Sequence, residues 1–516
     1  MHDKGNVNEN TIQASNGSLF ILSLLVGIIT GLIVSFYRWG LNLINHFREK
    51  IISNTDLYNI KFMVIILVVF IIIGLILSYI GDKFPGITGS GIPQVKGVLL
   101  RTIRYVNWPI ELFLKFITGI FGIGCGLSLG REGPSVQLGS YIGYGVTKLF
   151  KKNEIDGKYL ITCGSSAGLA GAFGSPLAGI VFSFEEFHKV ITSKLLISTF
   201  ISSVAADFVG RRIFGMQTAF DIAATYPKHI NQYFHLIFII LFGIIIAIFG
   251  KIFTITLIKS KDIFKNTKIN KNIKITFIML ISFILCFVLP EVTGGGHGLV
   301  ESLVTSKESL IFLVIILIIK FLFTTLSYST GFAGGIFLPM LVIGAIFGKI
   351  YGIILMNIFP EWGIQTPHFM VLGMIAFFVS VVRAPITGIV LILEMTGTFE
   401  HLLALAVISI VAYYVTDILK LEPIYDILYD KMEKSQIPID TLPNKELIEV
   451  VVTKDFHLNG KIISEIKWVK DILIVTLVRN GRKVIITGDT RIIEDDIVTI
   501  LSSKNDFLNM DKVEYF

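Results

Sequence analysis

Long apolar stretches separated by short polar segments make up the chain between Leu19 and Leu419. Runs that are long enough to cross a hydrocarbon core recur there, for example 62–80, 236–257 and 311–326. By this length criterion roughly ten or more such runs are present, and glycine or proline interrupts several of them. The pattern predicts an all-α, polytopic membrane protein, some of whose helices are broken.

The composition supports this prediction, and the distribution of polar residues indicates where the membrane domain begins. Of the 516 residues, 53% are hydrophobic and only 16% are charged, whereas soluble domains carry about 25% charged residues. Residues 1–17 are polar and are predicted to form a tail before a membrane domain at 18–434. No basic segment precedes the first apolar run and no small-residue cleavage site ends it, so we expect a retained helix.

The net charge of +7 comes from short basic loops, which do not indicate nucleic-acid binding. Lysines cluster at 148–158, 259–274 and 420–434, between or after the apolar runs. Such loops belong on the cytoplasmic side of a membrane. The expected location is therefore the cell (plasma or inner) membrane, with multiple passes. The three cysteines are scattered at spacings that indicate neither a metal site nor a disulfide framework.

One charged motif, Gly130-Arg131-Glu132-Gly133-Pro134, lies inside an apolar run. An ionisable side chain at membrane depth is costly and is by default a functional hypothesis. The two glycines allow the backbone to unwind and approach a ligand, and the proline suits the first turn of a new helix. Glu132 is thus predicted at a helix N-terminus, where free N–H groups attract anions. We interpret it as a gate.

The second half of the chain repeats the first. The stretch 384–390 (APITGIV) echoes 175–181 (SPLAGIV), with the prolines 209 positions apart. The loop 331–339, which contains GGIFLP, is the counterpart of the GREGP motif, and the prolines of the two stretches are 205 positions apart. Matching broken elements in two halves indicate a transporter-type repeat with its binding site at the midplane. The predicted halves are about 18–225 and 226–434.

A third glycine loop, Gly89-Ser90-Gly91-Ile92-Pro93, precedes the GREGP motif. The Ser90 hydroxyl could donate to an anion, or it could simply cap a helix. In the second half, Gly334 and Gly335 would turn the N–H groups of Ile336 and Phe337 into the same site. Neither loop contains lysine or arginine, so an anion would bind weakly enough to leave again. Arg131 is the exception, and we expect it to bond backbone carbonyls.

These motifs, in this order, resemble the CLC family of chloride channels and proton-coupled chloride transporters over residues 19–430. The resemblance implies a homodimer in which each subunit has its own anion pathway and consists of two inverted halves of tilted, incomplete helices. It implies that Glu132 is the external gate and that Tyr425, in Glu422-Pro423-Ile424-Tyr425, bonds the anion. The chloride-binding positions that it implies are Ser90, Gly91, Ile92, Gly130, Arg131, Gly133, Gly335, Ile336, Phe337 and Tyr425.

A second acid separates exchangers from channels in this family. Glu186 matches the internal proton-transfer glutamate of exchangers, although Glu185 and Glu186 could instead cap the cytoplasmic end of a helix. We therefore expect a secondary active chloride/proton antiporter, with a passive voltage- or ligand-gated chloride channel as the alternative. Glu132, Glu185 and Glu186 could also serve as acid and base, but no nucleophile or metal motif accompanies them, which argues against an enzyme. Chloride is the expected substrate, with no cofactor and no metal.

The composition changes beyond 434, and residues 435–516 are predicted to form a small α+β domain. The β-branched runs 447–453 and 472–478 and the stretch 495–501 predict strands, and Asn480-Gly481 predicts a hairpin turn. Residues 440–505 resemble the TrkA-C (RCK C-terminal) domain. That resemblance implies a cytoplasmic regulatory domain that dimerises and binds a small ligand.

Overall fold

In a computed structural model the chain divides into two compact units, Met1–Lys434 and Ser435–Phe516. The structure describes residues 9–54, 60–188, 191–215, 220, 222, 232–433, 446–453, 458–466, 473–479, 482–484 and 486–502. The two units are described separately below.

The described part of the first unit contains seventeen α-helices. They are α1 Glu9–Asn54, α2 Ile60–Lys83, α3 Ile92–Leu100, α4 Trp108–Gly124, α5 Glu132–Leu149, α6 Glu154–Phe173, α7 Pro176–Phe187, α8 Ser193–Phe214, α9 Gln232–Asn266, α10 Lys271–Val288, α11 His297–Thr305, α12 Leu310–Ser329, α13 Phe337–Ile358, α14 Thr366–Val382, α15 Pro385–Thr396, α16 Leu402–Ile418 and α17 Ile424–Glu433. Short 3₁₀ turns lie at Pro85–Ile87, Pro290–Val292 and Pro360–Trp362. Helix α1 begins at Glu9, so part of the segment predicted as a polar tail is helical.

Helix lengths confirm a membrane domain with many incomplete helices. Seven of the helices in the described residues are long and apolar enough to cross a membrane, and three shorter apolar helices accompany them. Helices α7 and α15 have 12 residues each, or about 18 Å at the α-helical rise. A hydrocarbon core is roughly 30 Å thick, so these two helices end within it. Both begin at a proline, which ends the preceding helix and starts the next.

The two halves meet at a reciprocal backbone contact between Gly130 and Gly335. Gly130 N donates to Gly335 O over 2.6 Å and Gly335 N donates to Gly130 O over 2.7 Å, in an antiparallel bridge. The two positions are 205 residues apart. A contact in which equivalent positions exchange the same bonds places a twofold axis between them. The chain directions are opposed there, as an inverted repeat requires, which confirms the predicted fold class.

Two carboxylates, those of Glu185 and Glu394, make equivalent contacts in the two halves. Glu185, at the end of α7, accepts hydrogen bonds from the N–H groups of Ile386 (3.1 Å) and Thr387 (2.7 Å) at the start of α15. Glu394, at the end of α15, accepts from two N–H groups at the start of α7, over 3.0 and 2.8 Å. Each carboxylate stabilises the positive end of the other helix. Glu185 therefore caps α15 rather than its own helix.

Two buried lysines form an equivalent pair. Lys115 on α4 donates to two carbonyl oxygens of the loop before α3, each over 2.8 Å. Lys320 on α12, 205 positions later, donates to two carbonyl oxygens of the loop before α11, each over 2.9 Å. Both side chains are fully buried. They hold the loops that precede the two helices and satisfy carbonyl groups that lipid would leave without a donor.

Glycines allow the central helices to touch through their backbones. A Cβ atom on Gly139 of α5 would collide with the carbonyl oxygen of Gly164 on α6, and the reverse collision holds for Gly164. Gly344 on α13 and Gly373 on α14 form the equivalent contact in the second half. Small residues are the usual means of close helix packing in lipid. The small-residue run 164–174 forms this interface.

Gly164→Ala is expected to destabilise the membrane unit by about 1–3 kcal/mol, because the added methyl group meets rigid backbone. The thermal midpoint in detergent, followed by tryptophan fluorescence, should fall by several degrees. Gly171→Ala in the same helix is the control, since its Cβ would lie 3.4 Å from Val34 Cγ1, an ordinary contact. Equal midpoints for the two variants would contradict this account of the α5–α6 interface.

The second unit contains a four-stranded antiparallel sheet with the order β1-β4-β2-β3. The strands are β1 Glu446–Val451, β2 Leu473–Arg479, β3 Arg482–Val484 and β4 Ile497–Ser502. Three of them coincide with the predicted strands, whereas Asn480-Gly481 lies outside the described residues. No α-helix occurs among the described residues of this unit, so the structure supports the strands of the predicted α+β domain. The buried Asp496 accepts two hydrogen bonds from the Arg479 guanidinium, each 2.8 Å long.

Candidate anion site

Glu132 is the first residue of α5, as the sequence predicts, and its side chain is fully buried. A Cβ atom on Gly130 would collide with Glu132 Oε2 and would lie 3.2 Å from Leu338 N. The carboxylate and the N–H of Leu338 therefore both face Gly130, and both carboxylate oxygens are buried without a hydrogen-bond partner among the described residues. Leu338 lies in the first turn of α13. The acid thus points at the positive end of a helix from the other half of the repeat.

The Ser90 hydroxyl lies at the same crossing. A Cβ on Gly133 would collide with Ser90 Oγ, and one on Gly335 would lie 3.5 Å from it. Gly91, with φ 98°, is the residue that precedes α3, so Ser90 is not the N-cap and the capping alternative is wrong. Ser90 Oγ is buried without a hydrogen-bond partner among the described residues. A buried hydroxyl of this kind is available to a ligand.

The start of α13 supplies backbone donors. Ile336 immediately precedes the helix and Phe337 is its first residue, and both are fully buried. The first N–H groups of a helix have no partner within it, so they can serve an anion. The Phe337 ring packs against Phe173 and Phe378, with ring centroids 5.3 and 4.8 Å away. These contacts fix the helix start in position.

Tyr425 is the second residue of α17 and is also fully buried. Its hydroxyl has no hydrogen-bond partner among the residues that the structure describes. It lies within electrostatic range of Glu186, Tyr328 and Glu132. A Cβ on Gly89, the residue before Ser90, would lie 3.6 Å from the Tyr328 hydroxyl, so Tyr328 connects the Ser90 loop with the region of Tyr425.

Arg131 supports the loop. Its Nη2 donates to the carbonyl oxygen of Ala172 over 3.3 Å, which is the kind of bond expected from the sequence. Its Nε lies 3.9 Å from Glu132 Oε1, so the guanidinium also faces the carboxylate. A cavity of about 690 Å³, lined in part by Arg38, Arg48 and Leu338, reaches Arg131. Cationic side chains around the cavity would attract anions towards the buried acid.

The structure brings the glycine loops together as the sequence predicts. The starts of α3, α5 and α13 meet at the Gly130–Gly335 bridge, and the predicted residues there are Ser90, Gly91, Ile92, Gly130, Arg131, Gly133, Gly335, Ile336 and Phe337. The Ser90 hydroxyl and several backbone N–H groups are the neutral donors that this arrangement offers. Such donors suit a monovalent anion that has to be released again.

Glu186 lies on α7, apart from that crossing, and its side chain is only 5% exposed. Lys96 of α3 lies 3.2 Å from Glu186 Oε1 and also pairs with Asp426 of α17. Sequence reasoning missed Lys96 and Asp426, since no motif marks them. It singled out Glu186 through the family resemblance but gave Glu185 no role of its own, although the offset of 209 positions between Glu185 and Glu394 was a signal for the capping role of Glu185.

An inverted repeat of broken helices around a buried carboxylate and neutral anion donors defines a membrane transport protein of the anion-conducting class. The chain belongs to the family described as voltage gated chloride channel, whose model matches residues 73–417. This match confirms the resemblance to the CLC proteins. A second family model, described as the TrkA-C domain, matches residues 447–512.

Relatives and solved structures agree with this assignment. The H(+)/Cl(-) exchange transporter ClcA of Vibrio cholerae serotype O1 (strain M66-2) is 33% identical over 432 residues, covering 81% of this chain and 90% of that protein. The protein of the same name from Vibrio vulnificus (strain YJ016) is 31% identical over 436 residues, covering 82% of this chain and 92% of that protein. The crystal structure of a slow cyanobacterial Cl-/H+ antiporter covers 81% of this chain and 98% of its own, with 28% identity and a TM-score of 0.75.

Proposed function

We propose that this protein exchanges chloride for protons across a membrane. The observation that carries the proposal is the Glu132 carboxylate, which is buried at the α13 start beside the Ser90 hydroxyl and the Gly130–Gly335 bridge. An acid in that position occupies the place that suits an anion, so the carboxylate and chloride compete for the same donors. The relatives named as exchange transporters support the exchange of these two ions.

The physical mechanism follows from this competition. While Glu132 is ionised, its carboxylate is attracted to the α13 N-terminus and closes the path. Once protonated, it loses this attraction and moves away, and chloride takes its place among the helix starts. The ionised carboxylate and chloride therefore exclude one another at these donors, so chloride occupies the site only while Glu132 holds a proton. Glu186 is the inner group that passes protons between Glu132 and the cytoplasm.

We assign the anion donors from the same geometry. Ser90 and Tyr425 would donate through their hydroxyl groups, and Ile336 and Phe337 through their backbone N–H groups. Gly91, Ile92, Gly130, Gly133 and Gly335 would bring the backbone close, while Arg131 would hold the loop and attract the ion. The absence of a full positive charge at the central position would keep the affinity low enough for transport.

Purified protein in proteoliposomes tests the proposal. A chloride gradient imposed without a proton gradient should drive protons uphill, and the reversal potential should depend on pH. A reversal potential that follows chloride alone and ignores pH would refute the exchanger and establish the passive channel.

We further propose a homodimer with one pathway per subunit and a cytoplasmic C-terminal unit that binds a small ligand. The proposal of a dimer is supported by the family, and that of a regulatory unit by the match to the TrkA-C domain. Single-subunit photobleaching in bilayers would establish the subunit count. Protease protection of residues 435–516 in sealed, oriented vesicles would establish the side of the membrane.

A further inference from the structure

The Lys96 side chain joins three helices next to Glu186, namely α3, α7 and α17. Its Nζ lies 3.2 Å from Glu186 Oε1 on α7 and forms a second ion pair with Asp426 on α17. The Lys96 and Glu186 side chains are 19% and 5% exposed, whereas that of Asp426 is 42% exposed. One ammonium group is therefore shared between a buried carboxylate and one in contact with water.

The two helices that share this lysine also carry the hydroxyl donors of the anion site. Ser90 immediately precedes the α3 N-cap, and Tyr425 lies in the first turn of α17. A second bond joins these helices farther along, between the Thr102 hydroxyl and the Tyr429 hydroxyl, 2.8 Å apart. A change in the Lys96 pairing therefore acts on the separation of the two helix starts.

We propose that Lys96 is a positioning residue that couples the protonation of Glu186 to the width of the anion path between Ser90 and Tyr425. The proposal rests on the exchange function proposed above. While Glu186 is ionised, it holds Lys96 and competes with Asp426 for it. Once Glu186 accepts a proton, Lys96 pairs with Asp426 alone and draws α3 against α17. A proton on Glu186 then narrows the inner end of the anion path, and its release widens the path again.

Among the residues that the structure describes, Lys96 is the cation that acts on Glu186. Asp426 and Glu185 are acidic neighbours, and Tyr425 lies within electrostatic range. On the α6 side, His188 and Lys158 interact with one another, and His188 Nε2 lies 2.7 Å from the Thr162 hydroxyl. Among the charged groups that act on Glu186 in the described residues, Lys96 is thus the cation that its carboxylate can hold.

Lys96→Met tests this coupling. Proton flux per chloride should fall by about tenfold, because one charge-assisted bond to Glu186 is lost. The dependence of chloride flux on internal pH should flatten, since Glu186 would no longer act on α3 and α17. Lys96→Arg keeps the charge and should retain most of the coupling. If Lys96→Met fails to fold, Asp426→Asn provides the second measurement, with the same flattening expected.

Lys431→Met is the matched control. Lys431 also lies on α17 and pairs with Asp262 of α9 over 2.6 Å, away from Glu186. It should leave the coupling ratio and the pH profile unchanged. Equal coupling in wild type and Lys96→Met, or equal loss in Lys431→Met, would overturn the role of Lys96. A wild-type protein that moves no protons against their gradient would instead refute the exchange function itself.

Discussion

Replacing Glu132 with glutamine is expected to abolish proton transport while chloride continues to pass. Glutamine has the shape of the protonated acid but carries no exchangeable proton, and it lacks the charge that draws the carboxylate to the α13 start. The path therefore stays accessible to chloride. Proton flux driven by a chloride gradient should fall by at least about 100-fold, the scale of losing a proton-transfer group.

The same variant should lose the pH dependence of chloride flux. In wild type, lowering the pH protonates Glu132 and frees the anion position, so chloride flux should rise. In Glu132→Gln that group no longer titrates, and flux should stay high across the range. Both quantities can be measured in one proteoliposome experiment with a chloride electrode and a pH electrode.

Glu291→Gln is the control for loss of charge. Glu291 lines the cavity that reaches Arg131 and is exposed, so the substitution removes the same charge near the site without touching the helix starts. It should transport protons like wild type. Proton transport that persists in Glu132→Gln would refute the assignment of this acid as the gate.

Motif spacing was sufficient to predict how the halves of the repeat meet. Gly130 and Gly335 stand 205 positions apart and form the reciprocal bridge, because glycine allows two backbones to approach within hydrogen-bond distance. The apolar runs likewise predicted the long helices, since lipid requires every backbone bond to be satisfied within the segment. These features follow from local sequence and from the repeat alone.

Side-chain pairing across the fold could not be predicted in the same way. Lys96 and Asp426 are 330 positions apart, and neither lies in a repeated motif. Their pairing depends on how α3 and α17 pack, which no local pattern specifies. Glu185 and Glu186 are adjacent and chemically alike, yet they lie on different faces of α7. Only the tertiary contacts show that the first caps α15 and that the second meets Lys96.

Replacing Glu186 with glutamine is expected to lower proton transport by about 10- to 100-fold, while chloride flux persists at a reduced level, because the neutral amide leaves Lys96 to Asp426 as the protonated acid does. Glu186 is buried on α7, apart from the anion crossing, so its loss removes a proton-transfer group and leaves the anion donors in place. The expected signature differs from that of Glu132→Gln. Chloride flux should still rise as the pH falls, because Glu132 remains able to titrate.

Glu185→Gln tests whether the role of Glu185 differs from that of its neighbour Glu186. Its carboxylate accepts bonds from Ile386 N and Thr387 N, so the neutral amide should weaken the start of α15 and lower the thermal midpoint in detergent. The ratio of protons to chloride should stay at the wild-type value in the protein that remains folded. If Glu185→Gln lost proton transport and Glu186→Gln kept it, the roles of the two acids would be reversed, and α7 would have to present its first acid to the proton path.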